Sequence, residues 1–324
     1  MSLKELSKPV EHDLKEFNKF FKEQMKTNVS LLNLIIQYMT RKRGKQVRPT
    51  LVFLSALLCG EISKRSYTGA AMIELLHTAT LIHDDVVDEA SERRGMASIN
   101  ASWNNKIAVL IGDFLLSKGL LASIDGGEFD FLRATSHAVR RMSEGELLQI
   151  QKSREIDIDE ETYFKIISDK TASLMASCCE IGAISATDDK DIHMTMRQFG
   201  EYLGIAFQIK DDIMDYQSRS SIIGKPVGND LKEKKLTLPL IHAFTKVSKS
   251  ETKRIVRIIK SGGMSRKAIN EVIDFARDNG GISYSEEKAL EYSQKAIDLI
   301  KDFPDSEAKQ SLEGIARFVV ERNM

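Results

Sequence analysis

The chain has 324 residues, 42% of them apolar, and carries 47 basic and 47 acidic side chains for a formal net charge of zero. That length and apolar share allow a large buried core in one large domain or two smaller ones and exclude a disordered chain. The charge balance argues against a general nucleic-acid or membrane-surface binder, so any anion site must be local. Three cysteines, Cys59 and the neighbours Cys178 and Cys179, form neither a disulfide framework nor Cys-x-x-Cys metal spacing, which suits small core thiols in a reducing cytoplasm. The first residues, with Lys4, Glu5, Lys8 and Glu11, show no apolar leader, and no later run approaches the ~20 apolar residues of a membrane span.

Prolines occur only at 9, 49, 226, 239 and 304, and the segments between them place apolar residues three and four apart. The spacing predicts helices over 11–39, 49–60, 66–90, 103–124, 129–151 and 160–186. Further helices are expected over 190–217, 237–246, 250–261, 265–279, 283–302 and 305–322, and no stretch alternates like a strand. Breaks fall at Arg43-Gly44, Gly126-Gly127, Ile223-Gly224-Lys225-Pro226, Gly262-Gly263 and Gly280-Gly281, none long enough to link two domains. The expected architecture is one all-α domain over residues 1–324, in which two distant helices present carboxylates to a common cavity.

Those carboxylates form two clusters of the pattern Asp-Asp-x-x-Asp: Asp84, Asp85 and Asp88, then Asp211, Asp212 and Asp215. Each ends a helical run, so its first and last members stand four residues apart on one face, where like charges cost about 0.2–0.5 kcal/mol per pair. Stating the pattern twice implies a cation that offsets the repulsion. Hard oxygen donors in this number suit magnesium shared with substrate phosphates.

Basic groups accompany both clusters. Arg93 and Arg94 follow the first, and Gly44-Lys45-Gln46-Val47-Arg48-Pro49 sets Lys45 and Arg48 at a turn, with Pro49 suited to a helix's first position. Gly224-Lys225-Pro226-Val227-Gly228-Asn229-Asp230-Leu231 follows the second cluster and leads to Glu233, Lys234 and Lys235. His77 lies about two turns before Asp84, and with no second histidine at ligand spacing it could donate to a phosphate but makes no zinc site. Lys170 and Thr171 sit mid-helix, Phe207 and Gln208 just ahead of the second cluster, and Met72, Leu76 and Ala79 in one sector beside the Asp84 face. Any of these alone would pass for a solvated or core residue; their company around the aspartates tips the balance.

With these motifs in order, the chain closely resembles the trans isoprenyl diphosphate synthases, in particular their long-chain, octaprenyl-type branch. The resemblance runs from Gly44-Lys45-x-x-Arg48-Pro49 through both aspartate clusters to Gly224-Lys225-x-x-Gly228-x-Asp230-Leu231-x-Glu233-x-Lys235-x-Thr237-Leu238-Pro239. It implies a single helical bundle of the isoprenoid synthase type and head-to-tail condensation of isopentenyl diphosphate onto an allylic diphosphate. It also implies three magnesium ions with substrate bound, held by Asp84, Asp88 and Asp211 with Asp85, Asp212 and Asp215 in support. Lys45, Arg48, His77 and Arg94 would hold isopentenyl diphosphate. Arg93, Lys170, Thr171, Gln208, Lys225 and Lys235 would hold the allylic partner, with Lys170 also counted as catalytic and Phe207 among the substrate-binding residues.

In such enzymes an aromatic just before the first cluster stops elongation. Here Ala79 and Thr80 leave the way open past Leu76 and Met72, which implies a hexaprenyl to decaprenyl product for a quinone side chain. The resemblance further implies a cytoplasmic homodimer with no nucleic-acid partner. Alternatives within the family are a short-chain farnesyl or geranylgeranyl synthase and the catalytic subunit of a heteromeric synthase. A terpene cyclase would usually lack the second full cluster and the Gly-Lys-x-x-Arg element, a regulatory subunit would show eroded aspartates, and a di-iron bundle would need Glu-x-x-His pairs.

Overall fold

The structure, a computed structural model, describes residues 2–41, 44–217, 228–261 and 265–322, with the backbone alone for Asn229. A short helix α1 (Leu3–Leu6) and one 3₁₀ turn lead into α2 (Glu11–Gln24), α3 (Ser30–Met39), α4 (Val47–Cys59) and α5 (Lys64–Val87). A two-residue hairpin, β1 (Glu92–Arg93) with β2 (Met96–Ala97), precedes α6 (Ile99–Ser102), α7 (Asn105–Asp125), α8 (Phe129–Glu155) and α9 (Glu160–Ile167). After a π-helical turn at Ser168–Ala172 come α10 (Ser173–Ile184) and α11 (Lys190–Gln217), then α12 (Asn229–Lys232) and α13 (Leu238–Thr245). The chain closes with α14 (Lys249–Lys260), α15 (Arg266–Asp278), α16 (Gly281–Ile300) and α17 (Glu307–Glu321).

Several features depart from the sequence reading, among them the π turn that interrupts the helix expected over 160–186. The helix expected over 11–39 is two, because Met25 turns into the core and the Thr27 carbonyl and hydroxyl are taken by the Asn33 side chain and the Val29 N–H. Pro49 stands third in α4 rather than first; the helix begins after Gln46 in a left-handed conformation, and Pro49 still falls among the N–H groups that need no partner. The hairpin was missed: Arg94 and Gly95 both take positive φ, the two-residue turn that matches strand twist, over too few residues to show alternation. Lastly, α7 is long and apolar enough to cross a bilayer, against the expectation of no such run.

The core lies between layers of helices. The larger cluster of buried side chains holds Phe17, Phe53, Phe131, Met72, Leu76 and Phe199, and the smaller holds Met25, Ile35, Leu75, Ala79, Ile82 and Leu115. Helix α5 is sandwiched between them, packing on α7, α4 and α10, while α11 packs on α10 and α16 and α1 on α17. Both aspartate clusters thus occupy the last turns of long, firmly packed helices. The negative end of each helix dipole adds to the carboxylates there and favours cations.

Candidate active site

At the end of α5, Asp84 and Asp88 reach solvent, and Asp88 caps the helix with its N–H on the Asp84 carbonyl at 2.8 Å. Asp85 points the other way, 3% exposed, and Arg93 of the hairpin clamps its carboxylate with Nε at 2.8 Å and a second contact through Nη2. Burial raises the Asp84 pKa, with Glu146 and Asp88 adding to the rise and Lys170 and Arg93 opposing it. A carboxylate whose ionisation is opposed by burial and like charge is one that gains from a cation.

Arg94, from the same hairpin, lies against Gly44 so closely that a Cβ there would stand 2.9 Å from its Nη2. The tertiary fold therefore brings the Gly44 turn and the arginine after the first cluster together, around an open cavity of about 650 Å³ shared with Gln46, Glu74 and Thr78. Arg48 leaves its Nε buried without a hydrogen-bond partner among the described residues, a donor that an anion could satisfy. His77, 8% exposed, has its pKa pushed down to about 2 by burial and by Arg48, Arg94 and Arg93. Its imidazole is neutral and can offer one N–H. Lys45 is exposed.

On α11, Asp212 is 5% exposed and accepts from Tyr163 Oη at 2.6 Å and Gln208 Nε2 at 2.8 Å, while Thr171 donates to Gln208 at 2.8 Å. Asp215 accepts from the Asp230 N–H at 3.1 Å. Asp211 is partly open and meets Arg322 Nη2 at 2.5 Å; that guanidinium also lies over the Phe207 ring at 4.1 Å. A second cavity of about 650 Å³ is lined by Lys170, Thr171, Gln208, Asp212 and Lys235, together with Gln149, Tyr163 and Asp230. Lys170 pairs with Glu146 and lies 3.4 Å from Gln149. Lys170 and Glu146 act electrostatically on Asp84, Lys170 also on Asp230 and Glu146 also on Lys235, so the two clusters border one field.

The structure thus gathers Lys170, Thr171, Gln208, Asp212 and Lys235 at one cavity and sets Arg94 beside the Gly44 turn. Arg93 turns to Asp85. Lys225 lies outside the described residues. The stripe of Met72, Leu76 and Ala79 divides, with Met72 and Leu76 in the larger core cluster and Ala79 in the smaller, while Thr80 is partly buried one turn from Asp84. Sequence reasoning missed Glu74, Glu146, Tyr163 and Arg322, and quoted Asp230 in a motif without giving it a role. Glu146 and Gln149 look like a solvated helix face until α8 is packed, and Tyr163 meets Asp212 only through the fold.

No three His, Cys, Asp or Glu side chains among the described residues converge tightly enough to hold a metal alone. Hard carboxylates on two helix ends, facing cations suited to phosphate, fit an ion that takes only one or two protein ligands and completes its shell from substrate and water.

Asp212 supplies a test of this burial. Desolvation, helped by Asp230 and opposed by Tyr163 and Gln208, raises its pKa to about 8. The folded chain then keeps a proton that the unfolded chain releases near ~3.9, so the stability due to neutral Asp212 is full below that value and lost as pH rises towards the folded pKa. Chelator-treated protein should melt lower at about pH 8.5 than at about pH 6.5, and Asp212→Asn should narrow the difference. An equal difference in both proteins would remove Asp212 as its cause.

The sequence model of the family described as polyprenyl synthetase matches residues 29–276. The chain is 36% identical over 315 residues to a geranyl-diphosphate-specific all-trans-nonaprenyl-diphosphate synthase of Rhodobacter capsulatus, covering 97% of this chain and 96% of that protein. It is 34% identical over 323 residues to the octaprenyl diphosphate synthase of Escherichia coli, covering both in full. Its fold superposes with a TM-score of 0.90 on a polyprenyl synthase from Caulobacter crescentus complexed with calcium and isoprenyl diphosphate, at 31% identity over 99% of this chain and 98% of that one. With both aspartate clusters at helix ends and phosphate-type cations beside each, the chain belongs to the polyprenyl synthetase family and is a chain-elongating trans-prenyltransferase.

Proposed function

We propose that the enzyme condenses isopentenyl diphosphate head-to-tail onto an allylic diphosphate such as farnesyl diphosphate, repeating the step to a hexaprenyl to decaprenyl product. The observation that supports this reading is the separation of two cationic pockets, Arg94 with the Gly44 turn in one and Lys170, Thr171, Gln208 and Lys235 in the other, with Asp84 in electrostatic reach of Lys170 and Arg93. Magnesium, the cation best suited to Asp84, Asp88 and Asp211, would supply Lewis-acid neutralisation of the departing diphosphate; the three-ion count stays with the family resemblance. Arg322 must yield or share Asp211 when that ligand is used.

Lys170 and Lys235 orient the allylic diphosphate, with Thr171 and Gln208 fixing its oxygens and Phe207 and Lys225 completing that side. Arg48, Arg94, Lys45 and neutral His77 hold isopentenyl diphosphate. The allylic C1–O bond breaks, the isopentenyl double bond forms a bond to C1, and the departed diphosphate takes the proton from C2 of the isopentenyl unit. No side-chain base is needed. Preorganised cations and a water-poor apolar cavity stabilise the charges that separate.

Residues 1–324 are read as one synthase domain, in keeping with the packing of α1 on α17. The exposed side of α7, with Val109, Leu110, Leu120, Leu121 and Ile124, suits burial against a second copy, the expected homodimer. A cytoplasmic location and a quinone tail as the product's destination belong to the same reading.

The test is chromatography of dephosphorylated products from purified enzyme, farnesyl diphosphate, isopentenyl diphosphate and magnesium, with Arg48→Ala and Lys170→Ala alongside. Long products are expected, with Arg48→Ala raising KM chiefly for isopentenyl diphosphate and Lys170→Ala chiefly for the allylic substrate. Products that stop at fifteen or twenty carbons would favour the short-chain alternative. Equal losses for both substrates in both variants would overturn the division of pockets.

A further inference from the structure

Between α9 and α10 the helix widens, and the Ser173 N–H reaches back five residues to the Ser168 carbonyl. Such π turns are rare and occur chiefly at functional sites. Lys170 and Thr171 sit inside this one and line the cavity. On the far side of the turn stands an ionic knot that the reaction does not touch. Arg141 of α8 donates from Nε to Asp169 at 2.7 Å and from Nη2 to Ser168 Oγ at 2.8 Å and to Glu201 of α11 at 2.7 Å. Ser168 Oγ donates to the same Glu201 oxygen at 2.6 Å, and the side chains of Arg141, Asp169 and Glu201 are 19%, 8% and 18% exposed. The neighbouring helices also close on the turn: a Cβ on Gly145 would stand 2.9 Å from Asp169 Cβ, and one on Gly204 2.5 Å from Ala172 Cα.

We infer that Arg141 is a positioning residue, whose guanidinium ties the π turn to α8 and α11 so that Lys170 and Thr171 face the allylic diphosphate. A relaxed turn regains ordinary α-helical pairing and rotates the residues within it by up to about 100°, one residue's worth, which carries Lys170 and Thr171 off the cavity wall. The inference rests on the allylic role read for Lys170.

The experiment compares Arg141→Met, Arg141→Lys, Ser168→Ala and Lys170→Ala by steady-state kinetics with each substrate varied in turn, and by thermal melting. Arg141→Met should raise KM for farnesyl diphosphate about tenfold or more and lower kcat, with KM for isopentenyl diphosphate within about twofold of wild type, as small misplacements of positioning groups do. Arg141→Lys should recover part of the loss. Ser168→Ala, which strands no buried charge and keeps the inference testable if Arg141→Met fails to fold, should shift the allylic KM in the same direction by less. Arg141→Met that melts lower but leaves both KM values unchanged, or a folded Ser168→Ala with wild-type kinetics beside an inactive Arg141→Met, overturns the inference while an impaired Lys170→Ala preserves the pocket assignment. An unimpaired Lys170→Ala overturns that assignment, and the inference with it.

Discussion

Alanine at Asp84 or at Asp211 should lower turnover by at least about a hundredfold, since loss of ~3 kcal/mol of charge stabilisation at the transition state is worth that factor. The two positions differ in surroundings. Asp84 stands free at the end of α5 with Glu146, Lys170 and Arg93 in electrostatic reach, so its removal leaves the fold untouched and helical content near wild type. Asp211 is held by Arg322, whose Nε is buried without a partner among the described residues, so Asp211→Ala also frees a guanidinium over Phe207. Asp211→Asn keeps the contact and loses the charge. Turnover of all three variants against magnesium concentration separates the effects. If Asp84→Ala or Asp211→Asn turns over at near the wild-type rate, carboxylates on separate helices do not share one diphosphate, and the two-cluster mechanism is wrong.

The second large effect concerns product length, where the structure refines the expectation from sequence. Ala79 is 2% exposed and belongs to the cluster of Leu75, Ile82, Ile111 and Leu115, between α5 and α7. Thr80 is partly buried, donates to the His77 carbonyl at 3.0 Å, and lies one turn below Asp84 on the same face. Phenylalanine at either position should end elongation near fifteen or twenty carbons while first condensations stay efficient, because the charged groups are unchanged. The stability costs should differ: a ring at 79 overpacks a closed cluster at about 1–3 kcal/mol, whereas one at 80 enters partly open space at less. Chromatography of products together with melting curves reads both effects. Long products from folded Ala79→Phe and Thr80→Phe would mean that the growing tail avoids this side of α5, and the chain-length argument would fall without touching the prenyltransferase assignment.

What the sequence determined by itself is what local periodicity carries. Helical class follows from apolar residues three and four apart, and the pairing of Asp84 with Asp88 and of Asp211 with Asp215 follows from helix pitch alone. The company of Lys45, Arg48, Arg93 and Arg94 near the first cluster was legible as motif order. Long-range packing decided the rest. Asp84 and Asp85 are neighbours of one chemistry, yet one reaches solvent and the other is sealed under Arg93, because α5 has the core on one side and the cavity on the other. Asp212 becomes a buried proton holder rather than an open ligand because packing desolvates it, Tyr163 covering it from 49 residues away. The π turn needs Arg141, Glu201 and two glycines from α8 and α11, none of which signals its role in its own stretch of chain. The hairpin that sets Arg93 on Asp85 and Arg94 against Gly44 rests on two positive φ angles in two residues, too short a signal for any periodicity to reveal. A side chain's environment is set by whatever packs against it, and that partner usually comes from elsewhere in the chain.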